Sequence, residues 1–213
     1  SATLAVTAKA NELKAKGVKV VPMGSGEPDF DTPSNIQKAA VDAIRGGQTR
    51  YTAVDGTAEL KSAIREKFLR DNNLKYSANE VMASCGGKQV FYNLCQAILN
   101  KDDEVIIPGP YWVSYPDMAI LADATPVIIE TGLDQDFKIT PEQLESSITK
   151  KSKLLVLNSP SNPTGAVYTR KEIEELGKVL ERHPQVYIIS DDIYEHILLG
   201  DDDFVNIAMA CPK

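Results

Sequence analysis

The chain of 213 residues is poor in cysteine, has a single tryptophan and carries no excess of positive charge. Its three cysteines, Cys85, Cys95 and Cys211, are odd in number and no two form a C-x-x-C pair. They read as free thiols in a reducing compartment rather than as a disulfide framework, each packing as a small buried residue. With 23 Lys and Arg against 30 Asp and Glu the net charge is −7, which argues against a nucleic-acid partner. It does not exclude a local anion site, because net charge says little about one pocket. No apolar run approaches the roughly 20 residues that cross a bilayer. The start, SATLAVTAKANELKAKG, lacks the basic region and continuous apolar block of a signal peptide. The cytoplasm is therefore the expected location and no membrane is expected as a partner. There is no internal repeat and no low-complexity linker.

What the chain does have is an ordinary globular composition, 43% hydrophobic and 25% charged, and length for one core or for one core and part of a second. Helix signals punctuate it. Thr32-Pro33 predicts an N-cap with proline at the first helical position, ahead of an apolar stripe at Ile36, Ala39, Ala40, Ala43 and Ile44 that Gly46-Gly47 ends. Leu60, Ile64 and Phe68 space a second helix. Thr140 with Gln143, and Thr169 with Glu172, are capping boxes before two more. Short β-rich runs lie between them, at 81–84, 105–107, 126–130, 154–157 and 186–190. Several are apolar on both faces, as strands covered on two sides are. The alternation predicts an α/β fold with a mainly parallel sheet, and residues 1 to about 50 a less regular segment packed beside it.

In open α/β sheets ligands bind beyond the carboxyl ends of the strands, so the residues following each strand are the candidates. Gly86 and Gly87 let a backbone approach a ligand. The helix they open offers unpaired N–H groups to an anion, and Lys88 sits in its first turn. A tight turn with a solvated lysine is the plainer alternative. Trp112 follows Pro108-Gly109-Pro110, where an indole could stack on a flat ring or serve as a core-edge aromatic. Asn162 precedes Pro163 in NSPSNPTGAVY (158–168), which aims its backbone, although an Asx/Pro turn needs the same residues. Asp191 comes straight after VYIIS, where a carboxylate needs a cationic or donor partner, and Tyr194 is three residues on. Helix capping and packing are their alternatives. His196 reads as structural and the acidic tip 201–203 as a solvated loop, with no EF-hand spacing. Together the candidates describe a ligand with an anionic group, a flat ring, a ring oxygen and a basic ring nitrogen: pyridoxal 5′-phosphate.

The segments GSGEPDFDTP (24–33), TRYTAVDGTAELKSAI (49–64), GGKQVFYN (86–93), PYWVSYPDM (110–118), NSPSNPTGAVY (158–168) and SDDIYEH (190–196) resemble, in order and across the chain, those of the fold-type I, class I aminotransferases, subgroup Iγ of the aspartate aminotransferases. The resemblance implies a three-layer αβα fold with a mainly parallel sheet. Residues 1–35 would form an N-terminal arm and part of a small domain, and 36–213 an incomplete pyridoxal-phosphate-binding large domain. It implies Asp191 on the pyridine nitrogen, Asn162 and Tyr194 on the 3′-oxygen, and Trp112 stacked on the ring. Gly86, Gly87 and Lys88 would lie at the phosphate, with Lys88 also reaching a substrate's distal carboxylate. Tyr51 would reach the phosphate of the other subunit of a homodimer, and Gly26 would sit in a loop over the substrate, which Trp112 and Asn162 also contact. The substrates would be an amino acid, L-aspartate or a related dicarboxylic one, and 2-oxoglutarate. Ser161 stands where the family often has Asn, and Asp192 where it often has Glu.

The family's Schiff-base lysine lies in a Ser-x-Lys motif after a further strand, and its carboxylate-gripping arginine lies later still. Neither is in this chain, and Lys88 and Lys101 do not stand in such a motif. The expectation is therefore a fragment with no catalytic residue of its own and no turnover. A prephenate-preferring aminotransferase and a C–S lyase remain open within the same cofactor class. A non-catalytic interaction module remains open outside it. A P-loop NTPase does not fit, since Gln89 follows the lysine and Met82 stands where a glycine is needed.

Overall fold

The computed structural model describes residues 2–24, 26–201 and 203–212. The chain divides into two compact units, 1–51 and 52–213. The first holds α1 (Ala2–Ala15) and α2 (Ser34–Arg45). α2 starts one residue later than Thr32-Pro33 predicts: Pro33 is itself the cap, with ψ 137° holding it extended. Gly46 and Gly47 end the helix as expected, Gly47 at φ +77°, a left-handed turn that favours glycine. Within this unit α2 buries none of its residues, and Ile36 and Ile44 of its apolar stripe are exposed.

The second unit is built on four parallel strands, β1 (Glu104–Pro108), β2 (Thr125–Ile129), β3 (Ser152–Asn158) and β4 (Tyr187–Asp191). Their order in the sheet is β2-β1-β3-β4. Successive residues of a strand point to opposite faces, and the buried residues sort that way. Ile106, Leu155 and Leu157 face one layer with Leu144 of α6 (Pro141–Ser147) and Ile173 and Leu176 of α7 (Arg170–Leu180). Val105, Ile107, Leu154 and Val156 face the other, with Phe91 and Cys95 of α4 (Gly87–Ile98) and Tyr115 and Met118 of α5 (Ser114–Ile120). Burial pushes the Cys95 thiol up to about 11, which keeps it protonated and inert. Helices thus cover both faces, the αβα arrangement expected. Among the described residues the unit's other α-helices are α3 (Ala58–Asn72) and α8 (Ile207–Ala210).

Both predicted capping boxes form. Gln143 Oε1 accepts from the Thr140 N–H at 2.9 Å while Thr140 Oγ1 accepts from the Gln143 N–H at 3.3 Å; Thr169 and Glu172 do the same at 2.7 and 3.3 Å. One predicted strand is corrected. Residues 81–84 are not in the sheet, because the Ala83 N–H is bonded to the Asp55 carbonyl at 2.9 Å rather than to a neighbouring strand. Among the described residues no helix is long and apolar enough to cross a membrane.

Leu155, fully buried at the centre of β3, is a direct test of this packing. Leu155→Ala is expected to cost about 2–5 kcal/mol in urea unfolding, whereas Leu199→Ala, at a side chain 97% exposed, stays within about 0.5 kcal/mol.

Candidate active site

β1, β3 and β4 are neighbours that run the same way, so their carboxyl ends share one edge of the sheet. Asn158 and Asp191, the last residues of β3 and β4, are register partners there. The Asn158 side chain ties this edge together. Its Nδ2 donates to the Asp191 carbonyl at 2.8 Å and its Oδ1 accepts from the Asn162 N–H at 2.8 Å. One amide thus fixes the two strand ends and the loop that carries Asn162. That loop closes on itself, with the Ser161 N–H on the Ala166 carbonyl at 3.0 Å and the Gly165 N–H on the Ser161 carbonyl at 2.8 Å. Its Ser159–Pro160 and Asn162–Pro163 bonds are cis.

Above this edge lies a cavity of about 250 Å³. Of the residues singled out in the sequence, Gly87, Lys88, Trp112, Asn162, Asp191 and Tyr194 line it. Gly86 stands just behind, capping α4 at φ +87°, a conformation that calls for glycine. A Cβ at Gly87 would meet nothing within 4 Å, so the start of α4 borders open space. The first N–H groups of a helix have no partner within it, and Gly87 and Lys88 of this first turn line the cavity. The Lys88 ammonium lies 5.0 Å from the centre of the Trp112 ring, a cation–π contact. Gly26 and Tyr51 are exposed residues of the first unit.

Tyr115, Asn158 and Ile193 also line the cavity and were not singled out by sequence. Tyr115 is 2% exposed. Its hydroxyl donates to Asp191 Oδ2 at 2.5 Å, and its ring meets Trp112 edge-on, 5.3 Å between centres. Burial first, and the neighbouring carboxylate second, push its phenol well above the usual tyrosine range, so it is a neutral donor. The only signal in the sequence was its place three residues after Trp112, one turn on. Asn158 could have been found as an amide at the last position of a strand.

The loop after β4 is also held by residues that do not line the cavity. Glu195 pairs with Lys67 of α3 and accepts from Asn72 Nδ2 at 3.2 Å, while Lys67 Nζ donates to Asn72 Oδ1 at 2.9 Å. Burial raises the Glu195 carboxyl, but its bonds to Lys67 and Asn72 outweigh that and hold it below the usual carboxylate range. Asp192 turns away from Asp191. It accepts from Ser190 Oγ and from Asn206 Nδ2, both at 2.6 Å, and burial still leaves its carboxyl above the usual range. Among the described residues no cluster of His, Cys, Asp and Glu could hold a metal ion.

Two outcomes follow for stability. Asn158→Ala leaves an amide N–H and a carbonyl without their partner and should cost about 1–3 kcal/mol, read as a lower urea midpoint. Glu195 contributes stability that is present above the ordinary carboxylate pKa and lost as pH falls through its depressed folded value. The native chain should therefore lose more stability than Glu195→Gln does between neutral and acid pH, with the two converging below that range.

A family model for aminotransferase class I and II matches residues 18–212. The aspartate/prephenate aminotransferases of Nitrosomonas europaea and Cereibacter sphaeroides are 56% and 58% identical to the chain over 212 residues, covering 100% of it and 53% of each relative. The chain spans about half the length of the curated relatives it matches. Among solved structures, the aspartate aminotransferase of Rhizobium meliloti superposes with a TM-score of 0.94 at 46% identity, over 98% of this chain and 52% of that one. That of Thermus thermophilus with maleate also gives 0.94, at 45% identity, over 100% and 55%. A match running nearly end to end through the sheet and its strand-end loops decides the family: the chain belongs to the class I and II aminotransferases, and with that membership comes pyridoxal 5′-phosphate as the cofactor.

Proposed function

We propose that the full-length protein containing this chain is a pyridoxal-phosphate-dependent aminotransferase that takes the amino group of L-aspartate, or of a related dicarboxylic amino acid, to 2-oxoglutarate. The observation that carries the reading is the cavity in which Asp191 and Trp112 meet through Tyr115. The residues fit the cofactor. Asp191 Oδ1 has a backbone bond of only 3.3 Å, from Ile193, and a carboxylate accepts more than one donor. An acceptor is therefore left for a protonated ring nitrogen. The indole supplies a ring face, and the start of α4 supplies donors beside open space.

Bound there, the cofactor supplies an electron sink for the charge left when a proton leaves the substrate Cα. The chain's own residues bind and orient. The Asp191 carboxylate holds a proton at the pyridine nitrogen, an electrostatic contribution made before reaction begins. The Asn162 amide and the Tyr194 phenol hold the 3′-oxygen. Gly86, Gly87 and Lys88, at a helix N-terminus, hold the phosphate. Lys88 also binds the distal carboxylate of the substrate, and Trp112 excludes water from one ring face. Gly26 covers the substrate, and Tyr51 reaches the phosphate bound by the other subunit of a homodimer. The assignment of 1–35 to an arm and small domain, of 36–213 to a large domain, and of the protein to the cytoplasm belongs to the same proposal.

A second reading of the oxo acid has its own support. The Nitrosomonas and Cereibacter relatives are both named aspartate/prephenate aminotransferases, so prephenate is the other acceptor to test. Purified full-length protein should form glutamate from 2-oxoglutarate with L-aspartate as donor, and prephenate in place of 2-oxoglutarate measures the second reading. Asp191→Asn should lower kcat/KM about 10²–10³-fold. No transfer from aspartate to either acceptor, or an unchanged rate in the variant, overturns the proposal.

A further inference from the structure

We propose that Tyr115 is a positioning residue of this site, holding the Asp191 carboxylate with its hydroxyl and the Trp112 indole with its ring. A flat cationic ring would then meet an edge and a face that one buried side chain has set. The inference rests on the pyridoxal phosphate reading and adds to it a residue that would not touch the cofactor's charged groups.

Three elements converge on the Tyr115 ring. It stands in α5, its ring centre is 5.1 Å from that of Phe91 in α4, and its hydroxyl reaches the end of β4. α4 is the helix whose first turn borders the cavity, and Trp112 lies one turn before Tyr115. A buried phenol needs a hydrogen-bond partner, and this one finds it in a carboxylate at 2.5 Å, the short, charge-assisted kind of bond. The geometry has a directional consequence. Oδ2 is committed to the phenol, so Oδ1, with its long bond from Ile193, is the oxygen left for a ligand. Without the phenol the carboxylate could rotate about its Cβ–Cγ bond and present either oxygen. The edge-on contact with Trp112 fixes the plane of the indole by the same packing.

Tyr115→Phe separates this role from mere filling of the core, because it keeps the ring and both aromatic contacts and removes only the hydroxyl. The measurement is the dissociation constant of pyridoxal phosphate for the cofactor-stripped full-length protein, by equilibrium ultrafiltration. It is made for the native protein, Tyr115→Phe, Asp191→Asn and the double variant. Tyr115→Phe should stay folded by circular dichroism and bind about tenfold more weakly, the scale of one hydrogen bond to a charged group. In the Asp191→Asn background the same change should alter binding by less than about twofold, since the carboxylate it acts through is gone. Unchanged binding in Tyr115→Phe overturns the proposal, as does an equal loss in both backgrounds, which would assign the effect to packing. An unfolded Tyr115→Phe overturns it too, by making the hydroxyl a requirement of the fold. Failure of the native protein to bind pyridoxal phosphate would instead refute the cofactor reading on which the proposal stands.

Discussion

A carboxylate at the end of a parallel strand sits where several chain segments pass, and it stays in one orientation only if those segments hold it. Asp191 is held in that way. Its carbonyl is gripped by the Asn158 amide, one oxygen takes the Tyr115 hydroxyl, and the other takes a long bond from Ile193. Each partner carries something further. Asn158 holds the Asn162 loop, and Tyr115 holds the tryptophan and leans on the helix that begins at Gly87. If the register between β3 and β4 slipped by one residue, every alternate side chain would change face and the Asn158 and Tyr115 bonds to Asp191 would be lost together. The site therefore depends on the same strand pairing as the core.

The sheet makes that register costly to change. Ile106, Leu155 and Leu157 belong to one buried layer and Val105, Ile107, Leu154 and Val156 to the other, so a slip exposes or buries the wrong set on both sides at once. The two adjacent aspartates at the end of β4 show the result at the site. Asp191 faces the cavity, whereas Asp192 is bound by Ser190 and by Asn206, the cap of α8. One acid is left for a ligand while its neighbour fastens the loop to the following helix, and Glu195 fastens it to α3.

Much of this could be read in the sequence because it is local. The capping boxes at Thr140 and Thr169 span four residues, and the apolar runs of β1 and β3 declare strands covered on both sides. The glycine pair at 86–87 announces a helix start that tolerates a close neighbour. The ligand candidates followed from one rule about strand ends, and Gly87, Lys88, Trp112, Asn162, Asp191 and Tyr194 do surround one cavity, although the segment ahead of Gly86 is not a strand. What was illegible is non-local. Residues 81–84 have the composition of a strand, but a strand needs a partner, and this segment bonds to Asp55 instead. Tyr115 carries no local sign of its role, because the carboxylate it bonds is 76 positions away. Asn158 stands visibly at a strand end, but the carbonyl it bonds lies 33 positions on and shows only once β4 is laid beside it. Pro33 caps α2 rather than entering it, a displacement of one residue that composition alone does not resolve.

The central claim is that the strand-end loops of this sheet are arranged around a single cationic ring whose nitrogen is paired with Asp191. A crystal structure of the full-length protein with pyridoxal 5′-phosphate tests it most directly. The account predicts the pyridine nitrogen within about 2.6–3.2 Å of Asp191 Oδ1, the ring lying against Trp112 and the phosphate at the first turn of α4. A cofactor bound elsewhere, or bound here with its nitrogen turned away from Asp191, would contradict it.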